Sequence, residues 1–199
     1  MLHNLDCLKS FGQYGGPGHW NDPDFLEIGN GEFADDGTER ARRINEAHFG
    51  LWCITSAPLI VSNDIYNITP MVLNVITNKH AIQINQCYDS QTQNAGDLLA
   101  EFDPQFNYID TKSKNVWYKP LPATVGNASL VFLNRNYDTT AESFHIEFAI
   151  LPFVYNQSKV TFCDVLDIWS DTSYFNFSAY RCEVPPAAIV FLKLFNCWQ

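Results

Sequence analysis

The residues best suited to chemistry gather in Gly15-Gly16-Pro17-Gly18-His19-Trp20-Asn21-Asp22-Pro23-Asp24, a glycine turn leading into a segment that ends in two carboxylates. In parallel α/β barrels the C-terminal ends of strands face the active site, so carboxylates there are candidates for catalysis or binding. An acid and nucleophile pair has to flank the bond being cleaved, with the two groups about 5 Å apart. Asp22 and Asp24 share one strand end, and Pro23 biases Asp22 towards an extended backbone, so they are not expected to form such a pair. The plainer reading has Asp22 satisfying neighbouring backbone amides and Asp24 capping a turn. A second polar group, Ser62-Asn63-Asp64, ends the apolar run PLIVS. It suits either a functional rim or an ordinary turn and helix entry.

Other chemistries find little support. His3, His19, His48, His80 and His145 are scattered without metal-ligand spacing, and CxxC, GxGxxG and Walker-type sequences are absent. No metal and no cofactor is implied. Cys53 sits on an apolar helical stretch and reads as a buried thiol. Of Cys163, Cys182 and Cys197, the first two could bridge neighbouring strands, leaving the third for Cys87 or for nothing; sequence leaves the pairing open. Trp117, Tyr118, Trp169, Tyr174 and Phe175 could stack on sugars, but sandwich cores use the same residues and the core reading is favoured.

The elements that must position these groups change character near residue 95. The earlier part alternates α and β: a short apolar segment from His19 to Ile28, a polar loop, and a helix over Thr38 to Ser56 with apolar residues at helical spacing. PLIVS reads as a buried parallel strand, and Pro70 opens a further helix continuing loosely through NKHAIQINQ. The later part has strand-like runs at Asn115–Lys119, Ser129–Asn134, Glu142–Phe148, Val160–Val165 and Ala187–Leu194, separated by turn residues, which predicts an antiparallel sandwich. The boundary falls in Tyr88 to Asp97, giving an incomplete barrel-type domain over 1–95 and a sandwich domain over 98–199.

Composition bounds the function. The chain has 199 residues, 46% hydrophobic and 15% aromatic against 17% charged, which is ample for a packed core. Twelve Lys plus Arg against 22 Asp plus Glu give a net charge of -10, which disfavours nucleic-acid partners. No run approaches the ~18 apolar residues of a membrane helix. Four N-x-S/T sequons, at Asn67, Asn127, Asn156 and Asn176, suggest a secreted glycoprotein. Asn67 is the weakest of them, because Thr69 precedes Pro70 and could cap a helix instead. Met1 to Gly18 lacks the apolar core of a signal peptide, so a leader is expected upstream.

GGPGHWNDPDFLEIGNG, EAHFGLWCITSAPLIVSNDI and NKHAIQINQ, followed by VWYKPL, SLVFLNR and VPPAAIVFLKL, resemble in order the later part of the melibiase-type α-galactosidases. These form glycoside hydrolase family 27, which includes the α-N-acetylgalactosaminidases. The resemblance implies an α/β part followed by an all-β part: the last two βα units of a (β/α)8 TIM barrel and a C-terminal antiparallel β-sandwich. It implies a retaining hydrolase of terminal α-galactosides or α-N-acetylgalactosaminides, secreted or lysosomal, with a possible homodimer. Both catalytic aspartates are expected upstream of Met1, so this chain alone is expected to be inactive. Asp24 matches a residue lining the sugar pocket, and Phe25 the next wall position, where Met is usual. Trp20, Asn63 and Asp64 are expected at the pocket rim. Cys87 stands where the family's N-Q-D pattern has Asp. The competing reading is a non-catalytic secreted β-sandwich module that binds glycans or serves a structural role.

Overall fold

The computed structural model describes residues 1–88, 95–153 and 162–199. Five helices precede or flank the strands: α1 (Leu2–Asp6), α2 (Glu39–Ile54), α3 (Pro70–Ile76), α4 (Lys79–Gln86) and α5 (Leu99–Phe102). The strands are β1 (Asp97–Leu98), β2 (Lys114–Pro120), β3 (Ala128–Asn134), β4 (Glu142–Glu147), β5 (Phe162–Asp167), β6 (Thr172–Phe177), β7 (Ala179–Val184) and β8 (Ile189–Trp198).

The helices begin where side chains can take up free backbone amides. Thr38 Oγ1 accepts from Ala41 N to start α2, and Thr69 Oγ1 accepts from Val72 N ahead of Pro70 to start α3. Asn78 caps α4 through the amides of His80 and Ala81, so the stretch expected as one loose helix is two. Between the helices, Leu26 pairs in parallel with Val61 in a single bridge: Leu26 N donates to Ile60 O at 2.8 Å and Ser62 N to Leu26 O at 3.1 Å. These are the strand segments of the two βα units. PLIVS is not the buried strand expected, since Ile60 and Val61 are 48% and 36% exposed. Its single bridged neighbour among the described residues and the helices on one side leave the remaining edge and face open.

The later part is antiparallel throughout. Six strands run in the order β1-β2-β3-β8-β5-β6, and β4 and β7 form a separate two-stranded sheet. Side-chain alternation sends Trp117, Val131, Leu133 and Phe191 into the core shared with α2 and α4. Val116, Tyr118, Leu130, Phe132 and Leu192 enter a second core against β4 and β7. A sheet buried on both faces loses the polar alternation of a half-exposed strand. That is why VWY, LVFL and IVFL read as continuous apolar runs. The strand expected to begin at Ala187 runs over Ile189–Trp198; of the strand expected over Val160–Val165, Val160 and Thr161 lie outside the described residues and the rest falls within Phe162–Asp167. β6 and β7, seen here as strands, were not anticipated.

Three connections tie the layers together. Asp6 and Arg135 form a two-pronged ion pair at 2.7 and 2.8 Å, joining α1 to the chain just after β3. Asp97 accepts from the amides of Ser10, Gly12 and Leu98, and burial pushes its carboxyl above the ordinary carboxylate value. Lys119 reaches from β2 to the C-terminal end of α4, its ammonium donating to Ile84 O at 2.5 Å, Ser56 Oγ at 2.5 Å and Cys87 O at 2.9 Å. Burial lowers its pKa to about 8. The disulfide joins Cys163 to Cys197 across β5 and β8, whereas Cys182 on β7 is a free thiol. The bridge between Cys163 and Cys182 is thus replaced by one between strands of the same sheet.

Two glycines permit close approach. Gly50 on α2 lies against β8, where an added Cβ would stand 2.4 Å from Ile189 Cδ1. Gly96 has φ +91° and brings its Cα within reach of the last turn of α2, so that a Cβ would lie 2.0 Å from Ile54 O. Gly96→Ala is expected to destabilise the chain by about 2 kcal/mol, from the left-handed backbone plus the clash with a carbonyl that cannot rotate away. A chemical denaturation midpoint equal to that of the parent would contradict this account of Gly96.

Candidate functional site

The glycine turn is a small closed loop. Gly16 N donates to His19 O at 3.2 Å and His19 N to Gly16 O at 2.9 Å, with Pro17 and Gly18 (φ +86°) between them, as a proline–glycine turn requires. Trp20 then packs edge-on against Tyr88, ring centres 5.7 Å apart. Asn21 donates to Phe11 O at 2.7 Å and Asn4 to Pro23 O at 2.9 Å, which fastens the segment to the N-terminal residues.

Asp22 and Asp24 use their carboxylates locally. Asp22 Oδ1 accepts from Asp24 N at 2.9 Å, and Asp24 Oδ1 accepts from Phe25 N at 2.8 Å. Asp24 has φ +83°, a conformation that costs a non-glycine residue about 1 kcal/mol or more. The buried indole of Trp52 offsets that cost by donating Nε1–H to Asp24 O at 2.9 Å. Among the described residues Asp24 Oδ2 accepts no hydrogen bond and the residue is exposed, which leaves this oxygen free to accept from a ligand. The two carboxylates sit on one turn and share its amides, an arrangement suited to fixing one acceptor rather than to working as an acid and nucleophile.

A cleft of about 580 Å³ opens beside this turn, between Asn21–Asp24 and the N-terminal residues that include Phe11. Phe25 is 55% exposed next to it. Asn63 and Asp64 follow Val61, the bridged neighbour of Leu26. Asn63 Nδ2 donates to Ile28 O, and Asp64 accepts from Tyr66 N and Asn67 Nδ2. Phe25, Asn63 and Asp64 do not line the cleft itself. Asn127 and Asn176 lie on the sandwich, Asn67 in the loop before α3, and Asn156 outside the described residues.

Three functional supports were not read from sequence. Trp52 holds the Asp24 carbonyl, and a tryptophan in mid-helix is a sign that its N–H needs a partner. Asn45, fully buried on α2, accepts from Gly29 N and donates to Phe33 O and Ala41 O, which anchors the polar loop. His48 is 1% exposed and lies between the rings of Phe33 and Trp52, at 4.8 and 4.4 Å, with neither ring nitrogen hydrogen-bonded. Burial lowers its pKa to about 3, so the ring that backs Trp52 is neutral. Of the five aromatics weighed as sugar stackers, Trp117 and Tyr118 are fully buried, while Tyr174 and Phe175 are 39% and 66% exposed. No group of three or more His, Cys, Asp or Glu among the described residues could hold a metal ion. No helix there is long and apolar enough to cross a membrane.

Comparison with known proteins shows what the chain resembles. Residues 4–87 match the family described as Alpha galactosidase A. Alpha-galactosidase A of Cellvibrio japonicus is 28% identical over 198 residues, which is 98% of this chain and 44% of that protein. Alpha-N-acetylgalactosaminidase of Gallus gallus is 42% identical over 83 residues, 42% of this chain and 18% of the relative. Among solved structures, alpha-galactosidase I from Mortierella vinacea has a TM-score of 0.72 at 23% identity, over 94% of this chain and 43% of that one. The alfa-galactosidase of Saccharomyces cerevisiae gives 0.74 at 18% identity, over 96% and 50%. At those identities the likeness is one of fold. The chain spans less than half the length of the Cellvibrio protein, to which it is similar almost from end to end. The chain is thus similar to the C-terminal portion of the melibiase-type glycoside hydrolases of family 27.

Proposed function

We propose that this chain supplies the later barrel units (1–95) and the sandwich (98–199) of a secreted or lysosomal retaining α-galactosidase-type hydrolase. In this reading Asp24 and Phe25 form part of the wall of the sugar pocket, with Trp20, Asn63 and Asp64 at its rim. The observation that carries it is Asp24: an exposed carboxylate with one free oxygen, fixed in a left-handed turn by a buried tryptophan, at the end of a parallel strand segment. Such an acceptor suits a sugar hydroxyl, and strand ends are where barrels bind ligands. The open edges of the Leu26 and Val61 segments, with Ile60 and Phe25 exposed beside them, suit further barrel strands. A homodimer of the complete enzyme and N-glycans at Asn67, Asn127, Asn156 and Asn176 belong to the same reading.

A retaining mechanism needs one carboxylate to attack the anomeric carbon and another group to protonate the leaving oxygen. Asp22 and Asp24 are tied to one turn and do not straddle such a bond. The 199-residue chain is therefore expected to show no turnover of an aryl α-galactoside. The same chain extended along its upstream reading frame is expected to be active. Turnover by the short chain that survives removal of host enzymes would overturn this reading.

In the extended protein, Asp24→Asn is expected to lower kcat/KM roughly ten- to a hundredfold through loss of a charged hydrogen bond, with folding unchanged. Asp22→Asn retains an Oδ1 acceptor for Asp24 N and should change kcat/KM little. A larger loss from Asp22→Asn at unchanged stability would transfer the binding role to Asp22.

A further inference from the structure

We propose that Asn176 carries an N-linked glycan that covers the open aromatic edge of β6. Among the described residues β6 is the outermost strand of the six-stranded sheet, and all six of its residues are exposed. Tyr174, Phe175 and Phe177 lie on it at 39%, 66% and 37% exposure, and it holds no charged residue and no proline. An edge of this kind invites pairing with another chain unless something blunts it. The strand has one blunting device, a bulge. Val165 pairs with Tyr174 and Cys163 with Phe177, so Phe175 and Asn176 together oppose Asp164. Asn176 takes φ +62°, and its amide donates to Asp164 Oδ1 at 3.1 Å. The bulge also brings the rings of Tyr174 and Phe177 to one side, 5.9 Å apart, so the edge is bent but remains apolar.

The sequon Asn176-Phe177-Ser178 lies inside this patch. Asn176 and Ser178 are both exposed, and among the described residues the Asn176 side chain makes no hydrogen bond, its backbone amide alone being bonded. The other described sequons are more committed. Asn67 donates to Asp64 Oδ2, and Thr69 of its sequon is occupied by Asp35 and by the cap of α3. Asn127 is half-buried and accepts from Cys197 N. Attachment forms a bond from Asn176 Nδ2 to the anomeric carbon of a sugar carried on a lipid pyrophosphate. The anomeric carbon–oxygen bond to the pyrophosphate breaks, the pyrophosphate leaves with the electron pair, and the amide gives up one proton. The product places a bulky, hydrated group against Tyr174, Phe175 and Phe177, where an added strand would otherwise pair.

The inference rests on the secretory setting proposed above, so the test supplies that setting. The full chain is placed behind a cleavable secretion leader in a eukaryotic host, and protein from lysate and medium is pooled. Release of glycans by an amidase in heavy-oxygen water marks each occupied asparagine for peptide mass spectrometry. The expected result is occupancy at Asn176. It is joined by self-association tighter by on the order of tenfold in the Ser178→Ala variant, as burial of one exposed Phe side chain implies. Ser178→Ala removes the sequon yet keeps Asn176 in its left-handed turn. Adding Phe175→Lys to that variant should restore the monomer by charging the edge. An unmodified Asn176 would overturn the inference, and so would occupancy without any change in association on removing the glycan. Because the leader forces entry into the pathway, either failure leaves the natural location of the protein to a separate test with its own upstream sequence.

Discussion

Lys119→Met is expected to lower the unfolding free energy by about 3–5 kcal/mol, the range for removing one partner from a buried charged cluster. Lys119 is 1% exposed, and its ammonium serves the carbonyls of Ile84 and Cys87 together with the Ser56 hydroxyl. The carbonyls at the end of α4 have no helical donor of their own, and no substitution can delete them. Methionine matches the length of the stem but removes the charged donor from these buried oxygens, and each hydrogen bond to a charged group that is lost costs about 1.5–3 kcal/mol. The gain from no longer burying a charge offsets only part of this. Lys193→Met on β8 is the control: that lysine is partly exposed, with a 3.4 Å contact to Gln83, and should change stability by less than about 0.5 kcal/mol. Urea midpoints of the two variants give the comparison, and equal midpoints would remove Lys119 from its role as a tie between layers.

Acidification should act through His48. Its folded pKa is about 3, against about 6.5 in an unfolded chain, because burial between Phe33 and Trp52 disfavours the imidazolium. Below pH 6.5 the unfolded chain binds a proton that the folded chain refuses. Stability is therefore complete above pH 6.5 and falls by about 1.4 kcal/mol per pH unit towards pH 3. From pH 6.5 to 4 that is about 3 kcal/mol. Carboxylates contribute to the raw profile at the acid end, so the expected signature is a difference. His48→Leu should flatten the slope between pH 6.5 and 4 by close to one proton. Parallel profiles for parent and variant would mean that the folded state admits the proton.

The features legible in the sequence were those set by local chemistry. Thr38, Thr69 and Pro70 announce helix starts because a side-chain oxygen or a fixed φ acts within three residues of itself. Asp22 was read as satisfying neighbouring amides, and it does so at Asp24 N. What escaped depends on residues far apart in the chain. β6 and β7 lie at or near exposed edges, so TSYFNF and AYRCEV lack the apolar runs that mark the doubly covered strands. The pairing of Cys163 with Cys197 follows from β5 lying beside β8, an adjacency that spacing does not encode. Lys119 appeared as one cation in a strand, and only the fold places α4 above it. Trp52 and His48 carry no sequence signal beyond their place on the α2 helix. Their link to Asp24 crosses 28 residues of chain in the case of Trp52.

The sheet that serves two cores also bears on how such a chain can change over generations. Residue 96 invites reading as a seam at which one sandwich is traded for another. Yet Trp117, Val131, Leu133 and Phe191 on the far side of that seam complete the packing around α2. A foreign sandwich would bring side chains shaped for a different helix. Gly50 makes the dependence specific, because its missing side chain is the space that Ile189 and Phe191 occupy. Enlarging either partner is tolerable only while the other stays small. The two halves are thus coupled through their packing, with substitutions at positions 50, 189 and 191 expected to arise in concert.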